Sequence, residues 1–277
     1  MRVRRTATVS PDPIPEPAPT IDERYVREAP SAQLAVDLFK GEWTTALPEH
    51  LGVHAGTMPL MEDPRIHWII QQAGGLDGRQ VLELGPLEAA HTYMLEQAGA
   101  SVTGVESNTR AYMRCLIVKE LLNLHASFML GDFVPYMEST DRRFDFVLAS
   151  GVLYHAPDPL RMLTALARVT DRVGIWTHYY DHTLMQATAV EVIRFFPEVD
   201  TVAVGGRSIN LHRRNYFELR DNQAFCGGPE ATAAWLEVDD LLHVLSTLGF
   251  TRTAIGENDL LHPGAPAVLL YAERERV

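Results

Sequence analysis

The chain has 277 residues, 46% of them hydrophobic and 22% charged, with 24 basic against 36 acidic side chains and a formal charge of −12. Only two cysteines occur, Cys115 and Cys226, which excludes a disulfide framework and a zinc site built on three or four thiolates. The acidic balance disfavours nucleic-acid partners, and neither a secretory apolar region nor a run of ~18 apolar residues occurs, so a cytoplasmic globular protein is expected.

Prolines alternate through 11, 13, 15, 17 and 19, and a run that cannot donate backbone hydrogen bonds predicts a polyproline-like or disordered tail over 1–20. Helical spacing follows over Ser31 to Lys40 and over Asp63 to Ala73, where Pro64 suits the first turn and Gly74-Gly75 a stop. Between 79 and 176 short apolar runs alternate with amphipathic segments, the pattern of a parallel sheet wrapped by helices. The predicted strands are 81–84, 101–106, 127–130, 144–149 and 172–176, and the helices run from about His91 to Gln97, Thr109 to Leu122 and Asp158 to Val169. A helix at Val238 to Leu248, stopped by Gly249, and strands at 250–255 and 267–272 complete the sheet. The segment 178–235 fits no simple unit. It holds a hairpin around Gly205-Gly206 and a loop at Gly227-Gly228-Pro229, and is read as a cap over the substrate opening. The expected division is therefore a tail over 1–20, a helical lid over 21–75, a cofactor core over 76–177, a cap over 178–235 and a closing helix and strands over 236–277.

The stretch VLELGPLEAAHT at 81–92 ends a strand, turns at Gly85 and enters a helix. It lacks the three glycines that bring a backbone close to a pyrophosphate. Instead Glu83 puts a carboxylate in the turn, where it would pair with a cationic ligand. The second strand ends in Glu106, suited to accept two ribose hydroxyls, and the third is followed by Asp132 and Phe133, suited to an adenine amino group and ring.

This order of motifs, closed by SGVLYHAPDPL at 150–160, resembles the class I S-adenosylmethionine-dependent methyltransferases, over roughly residues 63 to 177. The resemblance implies an α/β, Rossmann-like seven-stranded sheet with helices on both faces, an N-terminal helical lid and a cap after the fifth strand. It implies S-adenosyl-L-methionine as cofactor, with Glu83, Gly85, Ser150 and Gly151 at the methionine side, Glu106 at the ribose, and Asp132 and Phe133 at the adenine. The family's second and third loop glycines are replaced here by Leu87 and Ala89. The Tyr154-His155 exit is also similar to that of the tRNA wobble-uridine carboxymethyl transferases.

Methyl transfer chiefly requires a nucleophile held in line with the methyl group and, where that nucleophile arrives protonated, a base. His155, His178 and Tyr180 are the catalytic candidates, although His155 equally suits a helix cap or a cofactor contact. Tyr154, His182 and Arg214 are the substrate candidates, the arginine suiting a carboxylate or phosphate. His178 and His182 flank Asp181 at metal-ligand spacing, but no third histidine accompanies them, and no metal is assigned. Trp43 and Trp235 read as packing residues, His91 suits either a surface position or one facing the cofactor, and Asn210, His212, Arg213, Arg214 and Tyr216 suit either a solvated hairpin or the substrate. The N-terminal helices suit a lid over the cofactor, and AGTMPLMEDPRIHW at 55–68 is similar to that entry in related sequences. The reading is methyl transfer to a small metabolite of secondary metabolism, on O, N, S or C, by an enzyme that could be a homo-oligomer. The alternatives are an RNA-modifying alkyl transferase and a non-methylating cofactor-binding protein.

Overall fold

The computed structural model describes residues 25–188, 190–216, 228 and 230–275. The proline-rich tail, Gly227 and Pro229 lie outside them. Contacts divide the chain at Ser31, and within the first unit residues 25–31 form no helix or strand.

The second unit opens with α1 (Ala32–Val36) and a helical turn at Asp37–Phe39. Trp43 donates its indole N–H to the Val36 carbonyl at 2.8 Å and packs with Val36, Phe39, Leu47 and Met61. The helix α2 (Pro64–Gln72) begins at Asp63, whose carboxylate accepts the Arg65 N–H, and Pro64 supplies a pre-set φ where no donor is needed.

Five parallel strands follow: β1 (Gln80–Leu84), β2 (Ser101–Glu106), β3 (Ser127–Leu130), β4 (Phe146–Ser150) and β5 (Arg172–His178). The intervening helices are α3 (Ala90–Gln97), α4 (Thr109–Leu122), α5 (Phe133–Ser139) and α6 (Pro159–Val169). Asn108, Asp132 and Asp158 cap α4, α5 and α6 through their side chains; α4 and α5 start immediately beyond a strand end, and α6 starts after a helical turn at Leu153–His155. The helix α9 (Val238–Thr247) precedes β9 (Arg252–Asp259) and β10 (Ala267–Glu273). The sheet order is β3-β2-β1-β4-β5-β10-β9, with β10 antiparallel to both neighbours.

Alternation along each strand builds two cores. Leu82, Val147, Ala149, Val268 and Leu270 face one layer with Leu163 and Leu166 of α6, while Val81, Phe146, Leu148, Leu269 and Tyr271 face the other with Ile66 and Ile69 of α2. A sheet covered on both faces must be apolar on both, which is why the strands read as unbroken hydrophobic runs.

Beyond β5 come α7 (His182–Thr188), α8 (Val190–Ile193) and a second sheet of β6 (Glu198–Val204), β7 (Arg207–Asn215) and β8 (Thr232–Trp235). Gly205 and Gly206 both take positive φ, 55° and 81°, as a two-residue hairpin requires. Among the described residues no helix is long and apolar enough to cross a membrane.

Candidate active site

The strand order reverses between β1 and β4, and open α/β sheets hold ligands beyond the carboxyl ends of the strands at such a point. A cavity of about 520 Å³ lies there, within the size range of small-molecule sites. Gly85 and Glu106, from the ends of β1 and β2, line it with Asp132 and Phe133 after β3, Ser150 and Gly151 after β4, and Tyr154, His155 and His178.

Gly85 has φ +64°, and a Cβ there would lie 2.7 Å from Val152 Cγ1, so the turn that opens the cavity has no room for a side chain. Leu87 and Ala89 keep the left-handed path expected of glycines, with φ of 55° and 58°. That path aims the Leu87 N–H at Glu106 Oε2, 3.0 Å away, while Glu106 Oε1 accepts the Asn108 N–H at 2.8 Å. Both amides hold the carboxylate at the cavity wall, while burial raises its pKa.

Glu83 lies behind this wall. It is 2% exposed, does not line the cavity, and accepts a hydrogen bond from the Thr92 hydroxyl. Burial pushes it up to about 7, and the neighbouring Glu106 charge adds to the shift. Asp132 spends one oxygen on the Val134 N–H at 2.8 Å, which fixes its carboxylate beside Phe133.

The other half of the site comes from the 55–68 segment, from His91 and from the loop after β1. Arg65, from the first turn of α2, lines the cavity, gripped by Asp63 through Nε and Nη2 and stacked 4.4 Å over Trp176. His91 also lines it, with Nε2 3.1 Å from Asp63 Oδ2. Burial opposes ionisation of Asp63, but hydrogen bonds from His91 and Arg65 outweigh it and hold the carboxyl well below its usual range. Glu88 is 1% exposed; its carboxylate accepts the N–H groups of Thr44 and Thr45 and faces Arg114 Nε at 3.3 Å. It therefore ties the segment over the cavity to the loop after β1. No periodic pattern marks such residues, because their partners lie 43 or 44 positions away.

At the far end the cavity is walled by rings. Tyr154 stands 4.7 Å from His178 and 6.1 Å from Trp176 between ring centroids, and His262, from the loop before β10, stands 4.8 Å from His178. Burial pushes His155 down to about 3 and His178 to about 4, so both are neutral at physiological pH. His155 Nδ1 lies 3.1 Å from the Tyr216 hydroxyl, which donates to the Tyr154 carbonyl, and Trp235 donates to the same carbonyl at 2.8 Å.

Tyr180, His182 and Arg214 are placed elsewhere. The chain leaves the sheet after His178, and Tyr180 and His182 line a second, more open cavity of about 450 Å³ with Asp181, His212 and Glu237. Tyr180 stacks on His212 at 3.6 Å, and its hydroxyl is 3.1 Å from His182 Nδ1. Because His178 and His182 open onto different cavities, the metal pairing their spacing allows is not assembled, and no group of three ligating side chains occurs among the described residues. Arg214 is stacked over Tyr216 and Trp235, each 4.8 Å from its guanidinium carbon, and lines neither cavity.

Residues 82–177 match the family model described as a methyltransferase domain. A ubiquinone biosynthesis O-methyltransferase of Alkalilimnicola ehrlichii is 27% identical over 110 residues, which make up 40% of this chain and 44% of that protein. A tRNA U34 carboxymethyltransferase of Nautilia profundicola is 30% identical over 104 residues, 36% of this chain and 34% of that protein. The chain thus spans less than half the length of these curated relatives. The N-terminal domain of EvdMO1, solved with SAH bound, superposes with a TM-score of 0.66 at 20% identity, covering 88% of this chain and 95% of that one. The superposition shows a shared fold, the Rossmann-like seven-stranded architecture with one antiparallel strand.

Proposed function

We propose that this chain, whose residues 82–177 match a methyltransferase domain, is a class I S-adenosylmethionine-dependent methyltransferase that binds S-adenosylmethionine in the larger cavity and methylates a small-molecule acceptor. The observation that carries this reading is Glu106, a buried carboxylate pinned by two backbone amides at the cavity wall with Asp132 and Phe133 beside it. An acceptor-only group held this way suits a pair of ribose hydroxyls, while the first loop, with Leu87 and Ala89 in place of glycines, is poorly shaped for a pyrophosphate.

The residues present fit the cofactor along the whole cavity. Asp132 and Phe133 would take the adenine, Glu106 the ribose, and Gly85, Ser150 and Gly151 the methionyl chain. The guanidinium of Arg65 would meet a carboxylate there, while Glu83, just behind, favours a cationic group. When bound, the cofactor supplies an electrophilic methyl group on a sulfonium. The chain's own contribution is placement and exclusion of water, and fixed alignment of this kind is worth ~7–11 kcal/mol of barrier in well-oriented systems. Thr44, Thr45, Met58 and Leu60 cover one side, and Tyr154, Trp176 and His178 wall the end where an acceptor would sit. His178, uncharged and facing that end, is the group placed to take a proton from the acceptor; His155 sets the wall beside it. Tyr180, His182 and Arg214, being outside this cavity, act in the cap.

Isothermal titration tests the reading directly. S-adenosylmethionine and S-adenosylhomocysteine should bind at micromolar concentration and NAD should not, and Glu106→Gln should weaken binding by ~1–3 kcal/mol through lost charged hydrogen bonds. Absence of binding by both sulfur ligands would overturn the assignment.

A further inference from the structure

We infer that the methyl acceptor is a hydroxyl group held between His178 and His262, an inference that rests on the methyl-transfer reading above. His178 Nδ1 lies 2.9 Å from the Ala265 carbonyl and 3.3 Å from that of Pro266. Carbonyl oxygens only accept, so Nδ1 carries the hydrogen and Nε2 presents a lone pair. His262 is fixed the opposite way. Its Nδ1 accepts the Gly264 N–H at 3.2 Å, so its hydrogen sits on Nε2.

Both rings line the larger cavity, 4.8 Å apart and inclined at 66°, and neither Nε2 has a hydrogen-bond partner among the described residues. The same end of the cavity thus offers one acceptor and one donor. The rest of that wall is aromatic, with Tyr154 and Trp176 at 4.7 and 5.2 Å from the His178 ring. Of the cavity's arginines, Arg65 pairs with Asp63 and is assigned above to the cofactor's carboxylate, and Arg161 pairs with Glu138.

A hydroxyl has one hydrogen and two lone pairs. It can donate to His178 and accept from His262 while its second lone pair attacks. A neutral amine has a single lone pair, and a donor aimed at that pair blocks the attack. An ammonium group cannot accept at all, and a carboxylate has nothing to give His178. In the transfer, an oxygen lone pair forms the new C–O bond, the C–S bond of the methylsulfonium donor breaks with its electrons going to sulfur, and the hydroxyl proton passes to His178 Nε2. A methylated hydroxyl is a far stronger acid than imidazolium, so even an imidazole weakened by burial takes the proton. His262 is a positioning residue, holding the oxygen so that one lone pair points at the methyl carbon.

The test is nitrogen NMR on the full chain labelled with ¹⁵N-histidine, resonances being assigned with His178→Gln and His262→Phe, followed by titration with phenol and with its isostere aniline. The expected result is Nδ1–H at His178, Nε2–H at His262, and binding of phenol at least tenfold tighter than of aniline, with shifts at both Nε2 atoms. His262→Phe should abolish that preference, and His262→Gln, which keeps an N–H donor, should restore part of it. Like tautomers on the two rings, aniline bound as well as phenol, or neither probe reaching the imidazoles would overturn the inference. Cofactor titration is read separately, so a chain with the expected tautomers that binds no S-adenosylhomocysteine would lose the reaction and keep the paired imidazoles.

Discussion

Leu87 donates its backbone N–H to Glu106 Oε2 at 3.0 Å from a left-handed conformation, φ 55°, that costs a leucine what it would not cost a glycine. The loop after β1 therefore retains a glycine-like path without its glycines, and the carboxylate at the cavity wall depends on that path.

This strain orders the substitutions at position 87. Leu87→Val keeps an apolar wall but places a β-branched residue where it is least tolerated, so it should lower the thermal midpoint and weaken S-adenosylhomocysteine binding. Leu87→Gly should fold at least as well as Leu87→Val. Thermal midpoints in the reverse order would show that the loop does not hold this conformation.

Glu83 sets a pH dependence of opposite sign to that of an ordinary surface carboxylate. Its folded pKa of about 7 lies above the ordinary 4.5, so the folded state retains a proton that the unfolded chain releases. The contribution of Glu83 is full below pH 4.5 and falls as pH rises to 7, by ~3 kcal/mol at 1.36 kcal/mol per unit. Glu83→Gln, which stays neutral, should unfold at higher urea concentration than the parent at pH 8 and gain little at pH 5. An equal gain at both pH values would contradict the burial argument.

The buried histidines act at the acid side. His178 and His155 fall from the ordinary 6.5 to about 4 and about 3, so their contribution is complete above 6.5 and is lost as pH drops toward those values. For His178 the loss amounts to ~3 kcal/mol. His178→Asn should be less sensitive to acid than the parent between pH 6.5 and 4, measured as the difference in unfolding free energy across that window.

Glu88 secures the covering segment. Glu88→Ala leaves the Thr44 and Thr45 amides without acceptors and Arg114 with Glu42 as its remaining carboxylate, a defect expected to cost ~1–3 kcal/mol. Hydrogen exchange should quicken at Thr44 and Thr45 first. Unchanged protection there would mean that the segment is held by Trp43 packing alone.

Much of the sheet was legible because strands covered on both faces must be apolar throughout, and because Gly85, Glu106 and Asp132 stand at strand ends where a turn or cap is needed. The strand β8 and helix α5 escaped for local reasons. The sequence of β8, Thr-Ala-Ala-Trp, has little alternation, and α5 is short and contains Pro135. Glu83 read as a turn residue, yet its side chain points into the protein behind the turn. Tyr180 and His182 follow His178 by two and four positions, and sequence proximity suggested one site, but β5 ends at His178 and the chain turns away to the second cavity. Arg65 lies within the 55–68 segment that resembles a cofactor entry, though nothing there singles out the arginine itself, while Glu88 and His262 gave no signal, since what brings them to the cavity is a long-range carboxylate contact and the return of β10.

The position of β10 has a consequence for assembly. This strand follows β9 in the chain yet lies between β5 and β9, so those two have no common neighbour until it arrives. Its preceding loop carries His262, and the carbonyls that orient His178 belong to Ala265 and Pro266. During synthesis the half of the cavity built by β1 to β4 can be arranged long before β10 leaves the ribosome, while the histidine pair cannot form until that strand is inserted. A nascent chain stalled before Ala265 would hold the elements of one recognition half and none of the order of the other.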